Sequence, residues 1–404
     1  LLTGEKRHPH LTRSKTFGMS KVLGLSFFYH DAAAALLVDG VPVAMAEEER
    51  FSRKKHDADF PVQAIRFVLE QGGLRPEELD WIVFYEKPFL KLERIFKTFF
   101  ATFPATPLAF VHGVKNLFSS KLWIRELIAR NVNVAQEKIL FTEHHLSHAA
   151  SAFLASPFEE AALLTIDGVG EWTCTAIGKG KGNTIELLQE IRFPHSLGLF
   201  YSAFTAFLGF EVNEGEYKVM GMAPYGKPRY VNEVKKVITL FEDGSYKLNL
   251  EYFSFHRSTS RTFSAKFVKL FGKPRKPQSL FFTRESGWPS YFGQQPPQEQ
   301  FQKLAAEQER YADIAASVQQ VLEEAMIGLA KRAYELTHAP NLCLAGGVAL
   351  NSVANWKIAK ATPFKEIFVQ PAAGDSGGAL GAALAIEPFA LNKKRVFVQQ
   401  HAAF

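Results

Sequence analysis

The ten residues from His144 to Phe153, HHLSHAASAF, hold three histidines followed by small apolar residues. If this stretch begins a helix, His144 and His148 lie one turn apart on one face, with about 5 to 6 Å between their Cβ atoms, and can share one ion. His145 then points elsewhere. Two histidines do not complete a site, because a metal with an open position for chemistry takes about three protein ligands.

Two aspartates in predicted turns could complete the ligand set. Asp167 lies in TIDGVGE at the end of an apolar strand, and Asp375 lies in PAAGDSGG. The alternative is that the histidines only begin a helix, with backbone partners, and that the aspartates only form turns. Spacing alone leaves both interpretations open.

Three glycine-rich turns, IDGVGE, AGGVALN and AAGDSGG, each follow an apolar strand. Because the last two precede helical patterns, their backbone N–H groups could bind phosphate near a helix N terminus. Glycine also simply permits tight turns, so one such loop would predict little. Three of them in one chain favour a nucleotide ligand.

Two further polar groups lie early in the chain. His30 and Asp31 fall in the first predicted turn, where the pair could hold an imidazole ready to accept a proton from an alcohol or amine; a plain turn is the alternative. Lys54, Lys55 and His56 precede a predicted helix and could reach a phosphate from its flank. A charge run between a strand and a helix is otherwise a solvated connection.

Periodicity predicts the elements that position these residues. Apolar runs after Met19 and after Asp39-Gly40 indicate consecutive antiparallel strands joined by a hairpin, and a helix over residues 61–71 ends at two glycines. A long amphipathic helix is predicted over residues 312–337 and a phenylalanine-rich helical stretch over about residues 89–130. The segment EAALLTIDGVGEWTCTAIG repeats the opening strand, turn and strand plan.

This repetition predicts an α/β fold with two lobes, residues 19–160 and 161–390, of the actin-like ATPase class that includes sugar kinases and Hsp70. The second lobe includes a basic insert near residues 228–300. We expect residues 1–18 to be a leader outside the fold and residues 391–404 to be a tail.

Composition excludes several classes of protein. The chain has 404 residues, of which 47% are apolar, so it can bury a large core. Two cysteines are too few for a disulfide framework, which indicates a reducing compartment and a cytoplasmic location. The sequence contains no run of 18 apolar residues, so we predict no membrane span. The net charge of +6 is concentrated between Lys227 and Lys276, which favours a solvated loop surface over nucleic-acid binding.

Taken together, the motifs of the chain resemble those of the O-carbamoyltransferase family of nodulation-factor, cephem and aminoglycoside carbamoyltransferases. They occur in the family's order and cover nearly all of residues 19–387. The matching stretches are VLGLSFFYHDAAAALLVDG, AEEERFSRKKHDADFP, HHLSHAASAFLASPF, TIDGVGE, PHSLGLFYSAFTAFLGF, GEYKVMGMAPYG, NLCLAGGVALNSVAN and QPAAGDSGGALGAAL.

The resemblance implies a main domain similar to the tRNA threonylcarbamoyl transferase domain. In the family, a smaller C-terminal domain makes carbamoyl-adenylate from carbamoyl phosphate and ATP. The main domain then transfers the carbamoyl group to a hydroxyl of a small acceptor, such as a sugar, a nodulation-factor-like molecule or an antibiotic.

By the same resemblance, His30 matches the general base. The residues that match metal ligands are His144, His148, Asp167 and Asp375, and the metal implied is iron(II), with another divalent metal as the alternative. The residues that match the site of the carbamoyl-adenylate or ATP nucleotide are Lys55, Asp167, Ser196, Gly198, Gly346, Gly347 and Asn351.

The sequence departs from the family in two places. Residues 32–35 are all alanine where the family has an alanine-serine pair, so a hydroxyl is missing from that turn. By resemblance, we also expect the chain to be the transfer domain alone, without the adenylate-forming domain that follows GAALAIEP in the family, and to receive carbamoyl-adenylate from a separate domain or protein. Two alternatives stay open: a truncated nucleotide- and metal-binding remnant or regulator without turnover, and a tRNA threonylcarbamoyl transferase.

Overall fold

The structure is a computed structural model and describes residues 19–102, 111, 123–258, 260–389, 391 and 394–396. The strands are β1 (Lys21–Ser26), β2 (Ala33–Val38), β3 (Val41–Glu47), β4 (Trp81–Phe84), β5 (Ile139–Phe141), β6 (Glu160–Ile166), β7 (Thr173–Lys181), β8 (Thr184–Arg192), β9 (Ile238–Leu240), β10 (Tyr246–Leu248), β11 (Asn341–Ala345) and β12 (Glu366–Val369). The α-helices are α1 (Glu49–Ser52), α2 (Val62–Gly72), α3 (Pro88–Thr102), α4 (Ile124–Val132), α5 (His144–Phe153), α6 (Leu197–Phe207), α7 (Glu216–Met222), α8 (Val231–Val237), α9 (Ala265–Phe271), α10 (Gln298–Thr337), α11 (Ser352–Ala361) and α12 (Asp375–Phe389).

Two five-stranded sheets share one strand order and one pattern of directions. In the first, β3-β2-β1-β4-β5, the three strands β1 to β3 are antiparallel neighbours, and β4 and β5 run parallel to β1. In the second, β8-β7-β6-β11-β12, the strands β6 to β8 are antiparallel and β11 and β12 run parallel to β6. This duplication of a strand, turn and strand unit confirms the predicted α/β fold class.

The described residues divide into two compact units. The first includes both five-stranded sheets and is drawn from Leu1–Phe193, Ala333–Leu350 and Pro363–Phe404; the second is drawn from Pro194–Arg332 and Asn351–Thr362. The predicted lobes, residues 19–160 and 161–390, follow the two sheets instead of these units, and the lobe division stays a prediction. The predicted leader, residues 1–18, and most of the predicted tail, residues 391–404, lie outside the described residues.

Turn chemistry places the first elements where the sequence predicts them. Asp39 and Gly40 join β2 to β3 with φ values of 51° and 74°, the left-handed conformation that a two-residue hairpin requires at both positions. Helix α2 ends at Gly73, whose φ is 60°. Helix α10 is longer than predicted and contains 40 residues. Along the described chain, no helix is both long and apolar enough to cross a membrane.

The predictions for the phenylalanine-rich stretch and for the basic insert have different outcomes. The phenylalanine-rich stretch contains α3 and α4 at its two ends, and most of residues 103–122 lie outside the described residues. The basic insert contains α8, β9, β10 and α9. Within it, Arg275 is only 3% exposed and donates to the carbonyl oxygen of Leu208 at 3.0 Å, so this cation is a buried structural donor and not part of a solvated surface.

Helix α12 packs directly on the backbone of its neighbours. A Cβ added to Gly381 would lie 1.8 Å from the carbonyl oxygen of Ser147 in α5, and one added to Gly24 in β1 would lie 1.9 Å from the carbonyl oxygen of Ala379. No side chain fits at either contact. Glycine therefore sets how closely α12 approaches α5 and β1.

Replacing Gly381 with alanine should separate α12 from α5. We expect Gly381→Ala to lower the free energy of unfolding by about 1 to 3 kcal/mol, because the destabilisation from overpacking is larger than the stabilisation from the higher helix propensity of alanine. The control is Gly221→Ala in α7, where nothing lies within 4 Å of the added Cβ. That variant should be up to about 1 kcal/mol more stable. Urea unfolding measures both, and a Gly381→Ala protein as stable as the parent would contradict the close approach.

Candidate metal centre

Helix α5 begins directly after β5 and has a buried carboxylate at its N terminus. The side chain of Glu143 makes no capping hydrogen bond. Instead, the N–H group of His144 donates to both carboxylate oxygens of Glu171, at 3.1 and 3.2 Å. Burial raises the pKa of Glu171. This contact joins the start of α5 to the turn between β6 and β7 and fixes the position of the first histidine.

Four buried side chains converge beside α5. The Nε2 atoms of His144 and His148 are 3.1 Å apart, and Asp167 Oδ2 is 3.1 Å from His144 Nε2. Asp375 Oδ1 lies 3.5 Å from His148 Nε2 and 3.7 Å from His144 Nε2. Atoms that ligate one metal at about 2.0 to 2.2 Å are themselves about 3 to 3.5 Å apart. The four side chains therefore have the spacing of a ligand set for one metal ion.

The hydrogen bonds of Asp375 provide a test of this fit. Its Oδ2 accepts from the hydroxyl of Tyr85 at 3.2 Å, whereas its Oδ1 is buried and has no hydrogen-bond partner among the described residues. An unsatisfied buried carboxylate oxygen is costly, and a cation between the four side chains would satisfy it. Two imidazole nitrogens and two carboxylate oxygens suit iron(II), zinc or manganese. The residues present thus fit a divalent metal.

A further carboxylate faces the other side of the first histidine. His144 Nδ1 lies 3.9 Å from Glu86 Oε2, and Glu86 forms a buried ion pair with Lys91. Metal-bound histidines commonly direct their second ring nitrogen toward such a group, which orients the ring. Gly170 leaves room for the His144 ring, because a Cβ at this position would lie 2.9 Å from that ring.

The charged groups of the cluster shift one another's pKa values. Burial opposes protonation of His144, but the carboxylates of Asp375 and Asp167 outweigh it and raise the pKa of His144 from 6.5 to about 9. Burial acts to raise the pKa of Asp167, and the bond and charge of His144 hold it well below its usual value. A cation that binds here must therefore displace a proton from an imidazole.

His145 has a different role. Its Nε2 donates to the carbonyl oxygen of Thr173 at 2.8 Å, so its Nδ1 accepts from the hydroxyl of Thr165 at 2.7 Å. Burial and the neighbouring histidines lower the pKa of His145 to about 3. Both ring nitrogens are used within the protein, so this neutral histidine connects α5 to β6 and is not available to the cluster.

The glycine turn after β11 contacts the cluster of two histidines and two aspartates through Asp167. The N–H group of Gly347 donates to Asp167 Oδ1 at 2.8 Å. Gly346 has a φ of 89°, and a Cβ there would lie 2.3 Å from the carbonyl oxygen of Ile166. The turn must therefore be glycine, and one of its N–H groups orients a candidate ligand.

His30 and Asp31 form the predicted pair, and a third residue joins them. Asp31 Oδ2 is 2.7 Å from His30 Nδ1, and Asp31 Oδ1 is 2.6 Å from His56 Nδ1. The sequence predicts that His56 lies in a solvated connection or reaches a phosphate, and it does not predict this contact. The available signal is a repeated tripeptide, since HDA occurs both at residues 30–32 and at residues 56–58.

The other predicted nucleotide residues belong to different units. Lys55 is exposed in the loop after α1, in the first unit. In the second unit, Ser196 caps α6 by accepting from the N–H of Leu199, and Gly198 lies in the first turn of that helix. Asn351 caps α11, accepting from the N–H of Ala354 at 3.1 Å. The side chains of Ser196 and Asn351 thus have structural partners, and a nucleotide role for all four residues stays a prediction.

Comparison with known proteins identifies relatives of the chain. It is 45% identical over 377 residues to an uncharacterized protein of Synechocystis, covering 91% of this chain and 57% of that protein. It is 34% identical over 363 residues to the nodulation protein NolNO of Sinorhizobium fredii, covering 88% of this chain and 46% of that protein. The chain thus spans about half the length of these curated relatives.

Similarity to solved structures is more distant. Component A of (R)-2-hydroxyglutaryl-CoA dehydratase from Acidaminococcus fermentans is 13% identical, with a TM-score of 0.43, and the match covers 90% of this chain and 96% of that one.

The motifs that resemble O-carbamoyltransferases are confirmed by the family comparison. Residues 21–384 match the model described as Carbamoyltransferase N-terminus. The match includes the four residues of the candidate metal site, the His30 turn and both five-stranded sheets. The chain therefore belongs to the carbamoyltransferase family, of which residues 21–384 represent the N-terminal region.

Proposed function

We propose that this chain transfers a carbamoyl group from carbamoyl-adenylate to a hydroxyl of a small acceptor, such as a sugar, a nodulation-factor-like molecule or an antibiotic. The observation that carries the proposal is the buried cluster of two histidines and two aspartates with one unsatisfied carboxylate oxygen, in a chain of the carbamoyltransferase family. Carbamoyl-adenylate would come from an adenylate-forming domain or a separate protein.

The proposed cofactor is iron(II), held by His144, His148, Asp167 and Asp375. A dication in this position would polarise the carbamoyl oxygen and offset the negative charge that develops on the departing phosphate. The chain itself orients the ligands, since Tyr85 donates to Asp375 and the Gly347 N–H donates to Asp167.

His30 is the proposed general base. The acceptor hydroxyl oxygen would form a bond to the carbamoyl carbon while the bond from that carbon to the phosphate oxygen breaks. AMP leaves with the electron pair, and His30 Nε2 takes the hydroxyl proton. The Nδ1 atom of His30 is held by Asp31, which leaves Nε2 as the atom for proton transfer.

The charge around His30 bears on this role. Burial opposes protonation of the ring, but the hydrogen bond to Asp31 and the charge of Asp375 outweigh it and raise the pKa of His30 to about 9. A base must be neutral to accept a proton. A metal ion bound by the four residues would offset the charges of Asp375 and Asp167 and lower the pKa of His30 toward neutrality. A bound metal therefore favours the neutral, active form of His30.

The remaining assignments are part of the same proposal. Gly346, Gly347 and Lys55 are proposed nucleotide contacts of the first unit, and Ser196, Gly198 and Asn351 are proposed contacts of the second unit. A cytoplasmic location is proposed from the cysteines, because both are buried and neither forms a disulfide.

Metal binding is testable on the purified chain. We expect close to one iron per chain by mass spectrometry of protein purified without oxygen, and loss of nearly all of it in the His144→Ala, His148→Ala double variant, because two of four ligands are removed. The matched control is His338→Asn, an exposed histidine with a left-handed φ of 49° that asparagine tolerates. Equal metal content in the double variant and the parent would contradict the assigned ligands.

The role of His30 as general base is tested by measuring the rate of carbamoyl transfer. In His30→Asn, we expect the rate of carbamoyl transfer to fall by about 10²- to 10⁴-fold, the usual contribution of a positioned base, while metal content stays at the parent level. The assay supplies carbamoyl-adenylate generated in situ and detects carbamoylated aminoglycosides, cephems or oligosaccharides by mass spectrometry. An unchanged rate in His30→Asn would exclude it as the base. A metal-loaded parent that forms no product would instead favour the non-catalytic alternative.

A further inference from the structure

Two loops of the first unit are joined through their backbones next to His30. The Phe28 N–H donates to the Ala58 carbonyl oxygen at 2.8 Å, and the Ala32 N–H donates to the Asp57 carbonyl oxygen at 2.7 Å. These bonds hold the turn after β1 against the loop that follows α1. They bring together two residues that are 25 positions apart, Asp31 and His56.

Both of these residues have an unusual backbone conformation. Asp31 has a φ of 53° and His56 has a φ of 52°, in the left-handed region that residues with a side chain seldom occupy. Such conformations cost free energy and persist only where surrounding contacts determine them, and they are concentrated at functional sites. The strain here places the two side chains face to face.

The Asp31 carboxylate lies between two imidazole rings and uses one oxygen for each. Its distances to His30 Nδ1 and His56 Nδ1 are 2.7 and 2.6 Å. Burial acts to raise the pKa of Asp31, but the bonds and charges of the two histidines lower it overall. Because an ionised carboxylate only accepts hydrogen bonds, both Nδ1 atoms must donate. Each ring is therefore protonated at Nδ1, and a neutral His30 carries its lone pair on Nε2.

His56 is itself anchored on one side. Its backbone N–H donates to Glu49 Oε2 at 2.8 Å. Its Nε2 is buried and has no hydrogen-bond partner in the described part of the chain, so the ring's one side-chain hydrogen bond there is to Asp31. The ring is thus held in the position from which its Nδ1 donates to the Asp31 carboxylate.

We propose that His56 is a positioning residue for His30. By holding the second oxygen of Asp31, His56 prevents the carboxylate from rotating and so fixes the tautomer and the orientation of the His30 ring. This inference rests on the proposed function only in that His30 is the base whose orientation matters.

The same cluster could be taken for a second metal site, since ligand atoms of Asp31, Glu49 and His56 lie within 4.8 Å of one another. Hydrogen bonds account for this proximity. Both oxygens of Asp31 face imidazole nitrogens, and Glu49 Oε2 accepts from the backbone of His56. We therefore expect one metal per chain and not two, and a second equivalent lost on removal of the His56 side chain would overturn the positioning role.

Two substitutions separate the hydrogen bond from the backbone strain. His56→Gly removes the ring, and glycine accepts the left-handed φ without cost. His56→Asn also tolerates this φ and keeps an N–H donor close to the position of Nδ1. The charges that act on His30, those of Asp31, Asp375 and Asp167, are the same in both variants.

The first readout is the His30 ring itself. In protein loaded with zinc and labelled with ¹⁵N-histidine, we expect a downfield Nδ1–H resonance of His30, assigned by its loss in His30→Asn. It should persist in His56→Asn and disappear through exchange with water in His56→Gly. An unchanged His30 resonance in His56→Gly would overturn the inference, whatever the activity.

The second readout is the kinetics of carbamoyl transfer. We expect kcat to fall about 10- to 100-fold in His56→Gly, the usual effect of removing an outer partner, with KM little changed and most of the rate restored in His56→Asn. Equal losses of kcat in His56→Gly and His56→Asn would overturn the proposed role of the N–H group that donates to Asp31. If the NMR changes occur but His30→Asn is fully active, the positioning stands and the proposed base fails, so the two failures are distinguishable.

Discussion

The constraint on which the structure depends is the burial of two ionised carboxylates, Asp167 and Asp375, beside two imidazole rings. Charges removed from water must be paired, and one partner alone does not suffice for either aspartate. Asp375 is the first residue of α12, where the positive end of the helix dipole favours an anion. Asp167 receives an N–H group from Gly347. The histidines, the N terminus of α12 and the glycine turn each offset part of the buried negative charge, and a bound dication would offset the rest.

The duplicated topology explains why these groups meet. Strands β1 and β6 hold the same place in their two sheets, and the turns that follow them carry Asp31 and Asp167. Strands β4 and β11 are likewise equivalent, and the segments after them supply Tyr85 and Gly347. One structural plan used twice thus places polar groups at equivalent positions of the two sheets, although the residues themselves differ in kind.

Much of this arrangement follows from the sequence, because local rules govern it. The separation of four residues between His144 and His148 predicts their shared helix face, and glycines after strands predict the turns. What the sequence does not reveal depends on contacts between distant positions. Tyr85 and Asp375 are 290 residues apart, and Glu171 replaces the missing cap of α5 from another turn. The basic run predicts only that His56 lies in a solvated connection or reaches a phosphate, whereas the position of its ring depends on one long-range hydrogen bond to Asp31.

The contact between Gly381 and the Ser147 carbonyl has a consequence for metal selectivity. Because main chain meets main chain there, no rotamer change can widen or narrow the gap between α12 and α5. The backbone separation between Asp375 and the two histidines is then set by this contact, and it should vary little with temperature or with substitutions elsewhere in the core. A ligand set with such fixed spacing discriminates between ions by their radius, so the preference for one metal would be built into helix packing.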